Sequence, residues 1–546
     1  LLDKSPAAVS KPAVALLFVS VFAVHTAYAV LIGNNGWDDG SITVAFARTF
    51  ADDGRIALTP VSEVVEGYSS PFWFLLLAAT YFVTPLGFDG MILASQLWTG
   101  FFCAVGAVVL YLILRPLAGR AALPISLAVF ITGIFLNETA NGMEMSALCA
   151  VALGIVYLLR NYTAALPGLI ALAAATPWVR FEAAGYVIAG AVLLVVVSRD
   201  YRRAGALFLG VVASLAVLTA LRLAIFDSIV ANTIIAKRSE PYTMGESLVD
   251  RVSASKTVVK ELLYVLAPAA VIAVLAIAGT RLPKFGGKAA IATLTSRSVD
   301  PATGFVLGYL AGAAAFNLAI GANWGYTGRM EMSMVALAIV VVAFCAPIAI
   351  GSLQAPWRIG ALVLALIALS AYGLERTPLE ERFGASEQGA ITPASYRETG
   401  EAIDSIRTSL GLDTIAAVTP DVGGSSLCCP NIEILDLGLL ANKELARDGY
   451  EGIGAYLEEH RPDVIETHSV WSDASHMYDI EFFRETYSPV AVDDMWFYLR
   501  NDHLAAVQNR CHAIAPDTAE EFRYRGDSVD EEYIASLDLQ TVCQLG

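Results

Sequence analysis

Apolar runs long enough to cross a bilayer as a helix, which takes about 17–25 residues, recur along the chain. They lie near 13–33, 91–114, 121–136, 145–159, 164–178, 183–198, 204–226, 261–278, 303–320, 333–350 and 357–373, which predicts about eleven transmembrane helices. One further run, Phe72 to Val83, is too short to span and stops before Pro85, so it reads as an interfacial helix after the first span. Ahead of it, Ile42, Phe46 and Phe50 repeat at the helical interval behind Asp39, which predicts a short amphipathic helix with Asp39 as its cap. After Tyr372 the pattern changes to short β-branched runs alternating with helical ones. Strands are expected at 415–418, 432–437 and 463–468, a helix at 450–460, and a closing hairpin at 488–501. The expected fold is therefore a mostly α polytopic membrane domain over 1–373, with a first outer loop at 34–71, followed by an α/β domain over 374–546. From about Gln508 the chain is polar and acidic and reads as a poorly ordered tail.

Composition sharpens this picture. With 56% apolar and only 16% charged residues, the chain is too apolar for an ordinary soluble domain. If the N-terminus is cytoplasmic, Lys4, Lys11, Arg115, Arg120, Arg160, Arg199, Arg202, Arg203, Arg281, Lys284, Lys288, Arg297 and Arg358 all fall on the cytoplasmic side. That is the positive-inside pattern, and it would fail if Phe72–Val83 were counted as a span. An odd number of spans then places the C-terminal domain outside the membrane it is anchored in, the cytoplasmic (inner) membrane. That portion, from residue 373 on, carries 33 acids against 12 bases, which excludes nucleic acid as a partner. The segment 13–33 lacks a small-residue cleavage pattern and is read as a retained helix. Cys511 and Cys543 are the expected disulfide pair if the compartment is oxidising.

The polar residues at membrane level gather in the outward loops. Asp38 and Asp39 sit in tandem beside Trp37, immediately after the first span. One carboxylate there would accept the proton of an incoming hydroxyl while the other orients it or binds a divalent cation. A cap explains only one of the two acids. Glu66 and Tyr68, in a segment that turns at Gly67 and enters the interfacial helix at Pro71, are placed near the same mouth. Arg180 and Glu182 read equally well as site residues or as a salt bridge at a helix end. Lys237 and Arg238 follow an outward helix, where two cations suit a lipid-linked phosphate, and Arg329 is a second phosphate ligand or a snorkelling side chain. The six histidines show no metal-ligand spacing.

In order along the chain, Asp38-Asp39, EGYSSPFW (66–73), NGME (141–144), VRFE (179–182), NTIIAK (232–237) and GR (328–329) resemble the bacterial GT-C membrane glycosyltransferases, a class that includes terminal arabinofuranosyltransferases of the mycobacterial cell wall. DVGG (421–424) and ILDLGLL (434–440) resemble the extracytoplasmic domain of that class. The resemblance implies a transferase taking a sugar from a polyprenyl-phosphate donor, with D-arabinofuranose the expected sugar and an arabinan-like glycan hydroxyl the acceptor. By motif it makes Asp38 and Asp39 the catalytic pair. Glu144, Arg180 and Glu182 would line the cavity, and Lys237 and Arg329 would hold the donor phosphate. Arg180-Phe181-Glu182 departs from the Arg-Pro-Glu usual in the class. A transferase of the same mechanism using another sugar, such as mannose, is the alternative. A lipid-linked sugar flippase is a further one, but it predicts charges near the bilayer midplane and inverted repeats, and neither is found.

Overall fold

The computed structural model describes residues 10–161, 165–239, 242, 301–320, 329, 332–350, 391–467, 469–492, 495–507, 511–513 and 541–544. The predicted spans 261–278 and 357–373 and the basic loop between 281 and 297 lie outside the described residues. The chain folds as two compact units that alternate along the sequence. The first takes residues 1–33, 93–220 and 245–383, and the second takes 34–92, 221–244 and 384–546.

The first unit is helical. Among the described residues of the whole chain, four helical stretches are long and apolar enough to cross a membrane: Lys11–Ile32, Phe88–Phe130, Tyr201–Phe226 and Ala302–Ala319. Leu17, Val21, His25, Ala29 and Ile32 form the buried stripe of the Lys11–Ile32 helix, while Leu16, Val19, Val30 and Leu31 stay exposed. An exposed apolar face is what a helix against lipid presents, with its backbone polar groups satisfied internally. Met145–Asn161, Leu166–Val179 and Ala183–Ser198 are shorter apolar helices near three of the predicted spans. The predicted span 121–136 is instead two helices, Ala122–Phe130 and Gly133–Asn141. The break is local: Thr132 adopts an extended conformation, and its hydroxyl donates to the Val129 carbonyl before Gly133 restarts the helix. That second helix carries the chain as far as Asn141. Close helix packing is set by glycine. A Cβ on Gly308 would lie 2.8 Å from the backbone of Gly190, and one on Gly190 would lie 2.6 Å from the ring of Phe305.

The second unit is built on a sheet of order β2-β1-β3-β5-β4-β7-β6. Its strands are β1 (Ile415–Thr419), β2 (Ile432–Asp436), β3 (Val464–Ile465), β4 (Tyr487–Val492), β5 (Met495–Arg500), β6 (Cys511–Ala513) and β7 (Thr541–Gln544). β2, β1 and β3 run parallel, and β5 joins β3 antiparallel and forms the expected hairpin with β4. The tail read as poorly ordered contributes two paired strands, whose register sets Cys511 opposite Cys543. The disulfide among the described side chains joins the neighbours Cys428 and Cys429.

Segment 34–92 packs in this unit, although the sequence pattern grouped it with the membrane domain. Asp39–Asp53 and Pro71–Val83 are helices, the second started by Pro71 with the Ser70 hydroxyl accepting from the Trp73 amide. The cap position of the Asp39–Asp53 helix falls on Asp38, one residue earlier than expected. Between the helices, the Thr59 hydroxyl donates to the carbonyl of Ile432 at 2.8 Å, and the Ile434 amide donates to the Ser62 hydroxyl at 3.0 Å. The outer edge of β2 thus finds partners in the loop, and an open strand edge is closed.

Candidate functional site

Three acids of the second unit mark the carboxyl ends of its parallel strands. Asp436 ends β2, Asp421 follows β1 by two residues, and Glu466 comes directly after β3. The chain leaves β1 toward β2 on one side and later returns to β3 on the other, so β1 and β3 flank a switch in topology. In open α/β sheets that switch opens a crevice at the carboxyl ends of the strands, where ligands bind.

Asp38 is drawn into the same place. It is 2% exposed, and its carboxylate takes three donors: the Gly423 amide on Oδ2 at 2.7 Å, the Gly424 amide on Oδ1 at 2.7 Å and the Ser41 hydroxyl on Oδ1 at 2.6 Å. Only glycine fits at the contact. A Cβ on Gly423 would overlap the Ser41 hydroxyl and stand 2.6 Å from the Asp38 carbonyl oxygen, and one on Gly424 would run into the carbonyl of Pro393. Burial pushes the Asp38 carboxyl up to about 7 against the pull of the Ser41 hydroxyl and the two amides, and the charge of Asp421 adds to the rise. Asp39, the first helical residue, is half-buried and close enough to Asp421 for their charges to interact.

Asp421 is half-buried. It accepts the Tyr396 hydroxyl on Oδ2 at 2.8 Å and a bond from Trp471, whose ring meets Tyr242 edge-on at 5.5 Å. Burial raises its carboxyl to about 6, with the charge of Asp39 adding to the rise. Glu466 is held by the Thr419 hydroxyl, and burial raises it to about 8. Asp436 is raised to about 7 by burial, but its oxygens accept the Gly438 and Ala441 amides, each at 2.7 Å. That bonding shapes the 437–441 turn, where Leu439 takes a φ of 65° and where the Asn232 amide donates to the carbonyls of Leu439 and Leu440. Asp436 therefore serves the architecture of its loop.

The other expected site residues separate by unit. In the second unit, Glu66 is gripped at both oxygens by Arg222, Nε to Oε2 at 2.6 Å and Nη2 to Oε1 at 2.9 Å, and both residues are buried. Tyr68 is a core aromatic, stacked on Phe74 at 4.4 Å and edge-on to Phe46. Lys237 and Arg238 follow the Asn232–Ala236 helix and are exposed. In the first unit, Arg180 donates from Nη1 to Glu144 at 2.9 Å and from Nε to Glu182 at 2.6 Å, while Arg329 stands 3.7 Å from Glu144. The salt-bridge reading of Arg180 and Glu182 is thus realised, with Glu144 as a third member. Among the described residues no three His, Cys, Asp or Glu side chains converge as metal ligands. Both oxygens of Asp38 accept hydrogen bonds, and no step is derived through the divalent cation considered beside Asp38 and Asp39.

Arg222, Glu466, Tyr396, Trp471 and Tyr242 escaped the sequence reading, and Asp421 entered it only as the first residue of the DVGG motif. Arg222 carried a signal, since it is a charge near the end of an apolar run and such residues are rarely idle. Asp421 and Asp436 carried another, each closing or following a β-branched run.

No protein-family model matches the chain, and no curated protein matches it in sequence. Among solved structures, it is similar to the apo oligosaccharyltransferase of Archaeoglobus fulgidus, at 11% identity over 89% of this chain and 74% of that one, with a TM-score of 0.47. It is also similar to ArnT from Cupriavidus metallidurans bound to undecaprenyl phosphate, at 15% identity over 78% of this chain and 86% of that one, again with a TM-score of 0.47. A third is the archaeal oligosaccharyltransferase AglB from Archaeoglobus fulgidus, in complex with an inhibitory peptide and a dolichol-phosphate, at 12% identity over 89% and 74% with a TM-score of 0.46. At these values the likeness defines neither a family nor a substrate.

Proposed function

We propose that the chain is a GT-C-type membrane glycosyltransferase that moves a sugar, D-arabinofuranose, from a polyprenyl-phosphate donor to a glycan hydroxyl at the outer face of the cytoplasmic membrane. The observation that carries this reading is the Asp38-Asp39 pair, which follows the first apolar helix directly and is built into the strand-end crevice beside Asp421. The ordered motifs from Asp38 to Arg329 support the same reading.

The chemistry asks little more of the protein. The acceptor oxygen attacks the anomeric carbon, the bond from that carbon to the phosphate oxygen breaks, and a carboxylate takes the hydroxyl proton as polyprenyl phosphate departs. The phosphate leaves as a stable anion, so positioned cations suffice and no nucleotide fold is required. In the second unit Lys237 and Arg238 are the cations proposed for that phosphate. The ordered motifs add Arg329 as a further proposed ligand of that phosphate. The bidentate pairing of Glu66 with Arg222 gives Glu66 the task of fixing the mouth of the site in shape, with Tyr68 packed beside it.

The test is transfer by the purified chain in lipid nanodiscs, supplied with polyprenyl-phosphoryl-arabinofuranose and an arabinan oligosaccharide, with products read by mass spectrometry. A product heavier by one pentose is expected. A product only from the mannose donor would change the sugar, and no product from either donor would contradict the transferase reading.

A further inference from the structure

We infer that the Cys428–Cys429 disulfide is a thiol–disulfide exchange site that sets the hold on Asp38. Closed, it locks the Gly423–Cys428 helix onto the start of the Asp39–Asp53 helix; opened by a dithiol, it slackens that hold and lowers activity. The effect on sugar transfer rests on the transferase reading above, whereas the exchange chemistry and the hold on Asp38 do not.

A disulfide stabilises a fold mainly by closing a loop of chain. Cys428 and Cys429 are neighbours, so their bond joins no distant segments, and what it fixes is the backbone where the helix ends. That helix is only six residues long, and other elements hold it at both ends. At its start the Gly423 and Gly424 amides donate to the Asp38 carboxylate. At its end the Leu427 carbonyl accepts from Arg48, a residue of the Asp39–Asp53 helix. There is little slack around the bond. Cys428 Sγ lies 3.2 Å from the Ser425 carbonyl oxygen, and a Cβ on Gly400 of the Pro393–Leu410 helix would stand 2.6 Å from it. Reduction replaces one S–S bond by two thiols that must part to van der Waals contact. With the Gly400 helix behind Cys428, the displacement falls on the last turn of the short helix, and close packing passes it to Arg48 and to the two glycine amides. Cys428 is half-buried and Cys429 is 7% exposed, so an incoming thiolate meets Cys428 Sγ first. The S–S bond breaks with its electron pair on Cys429, which takes a proton. The second thiol of the reductant then displaces Cys428 from the mixed disulfide, and Cys428 takes a proton in turn. The dithiol ends as its own disulfide, oxidised by two electrons, and the protein gains two thiols.

The experiment treats the full chain in nanodiscs with dithiothreitol and compares it with the untreated chain and with C428S/C429S. Three readouts are taken: iodoacetamide labelling of residues 428 and 429 by peptide mass spectrometry, hydrogen exchange across 420–428, and turnover of polyprenyl-phosphoryl-arabinofuranose with an arabinan oligosaccharide. Untreated chain should resist labelling at both cysteines, and reduced chain should label at Cys428. Reduction should cost exchange protection at Gly423 and Gly424 and lower turnover about tenfold, because a small misplacement of reacting groups is expensive. C428S/C429S should resemble the reduced chain and no longer respond to dithiothreitol, which separates this bond from any other that the reagent opens. Reoxidation with glutathione disulfide should restore protection and turnover, and this arm carries the test if C428S/C429S folds poorly. Labelling of both cysteines before reduction would overturn the proposal, as would unchanged protection at 423–424 once Cys428 is reduced, or an equal response to dithiothreitol in C428S/C429S. A chain silent on this donor would contradict the transferase reading, and labelling and exchange would then decide the switch on their own.

Discussion

Glu66 and Arg222 show how a buried ion pair joins residues distant in sequence. Two charges buried together are stabilised by their mutual hydrogen bonds, and removing one strands the other. Replacing Arg222 with Met is expected to cost about 3–5 kcal/mol of stability, read as a fall in the apparent melting temperature of the detergent-solubilised protein. Adding Glu66→Met to that variant should recover much of the loss. A second residue-scale prediction concerns Gly423. A methyl group there overlaps the Ser41 hydroxyl and crowds Asp38, so Gly423→Ala should lower both turnover and melting temperature, whereas Gly87→Ala, at an open position with no left-handed backbone, should lower neither. Equal loss in both variants would contradict a specific fit at Gly423.

At the scale of elements, most of what the chain pattern announced is present. The Lys11–Ile32, Ala183–Ser198 and Tyr201–Phe226 helices lie within a few residues of their predicted bounds, because long apolar runs leave a helix few alternatives. β1, β2 and the β4–β5 hairpin also lie where β-branched runs placed them. What the pattern missed depends on contacts distant in sequence. The break at Thr132 turns on one hydroxyl finding a carbonyl, which hydropathy does not register. The grouping of 34–71 with the C-terminal sheet depends on Thr59 and Ser62 meeting a strand some 370 positions away, and no local periodicity encodes that. The candidate site was legible in part for the same reason: Asp38-Asp39 announces itself as a tandem, but Asp421 becomes meaningful only once the order of strands is known. Helix packing yields its own prediction. Gly308→Val places atoms against Ala189 and Gly190, so this variant should melt at a clearly lower temperature than Gly205→Val, which faces open space.

For the molecule as a whole, the buried acids of the second unit set a pH dependence. Asp421, Asp38, Asp436 and Glu466 hold their protons more tightly in the fold, at about 6, 7, 7 and 8, than carboxyls of an unfolded chain do. The unfolded values lie near about 4. Between those values the folded state binds more protons than the unfolded one, so stability falls as pH rises from about 4 to about 8 and levels off beyond. The apparent melting temperature should therefore be higher at pH 5.5 than at pH 8.5, and Glu466→Gln should flatten the difference. A melting temperature that rises across this window would contradict the burial described for these carboxyls.

The central claim is that a carboxylate of the Asp38-Asp39 pair drives sugar transfer from a lipid phosphate. Its most direct test is the acceptor-dependent release of polyprenyl phosphate from polyprenyl-phosphoryl-arabinofuranose, measured side by side in the wild-type chain, in Asp38→Asn and in Asp39→Asn. The wild type is expected to release polyprenyl phosphate in step with glycosylated acceptor, while at least one of the two variants binds the donor as tightly and releases it about 100-fold or more slowly. Release at the wild-type rate by both variants would contradict the claim.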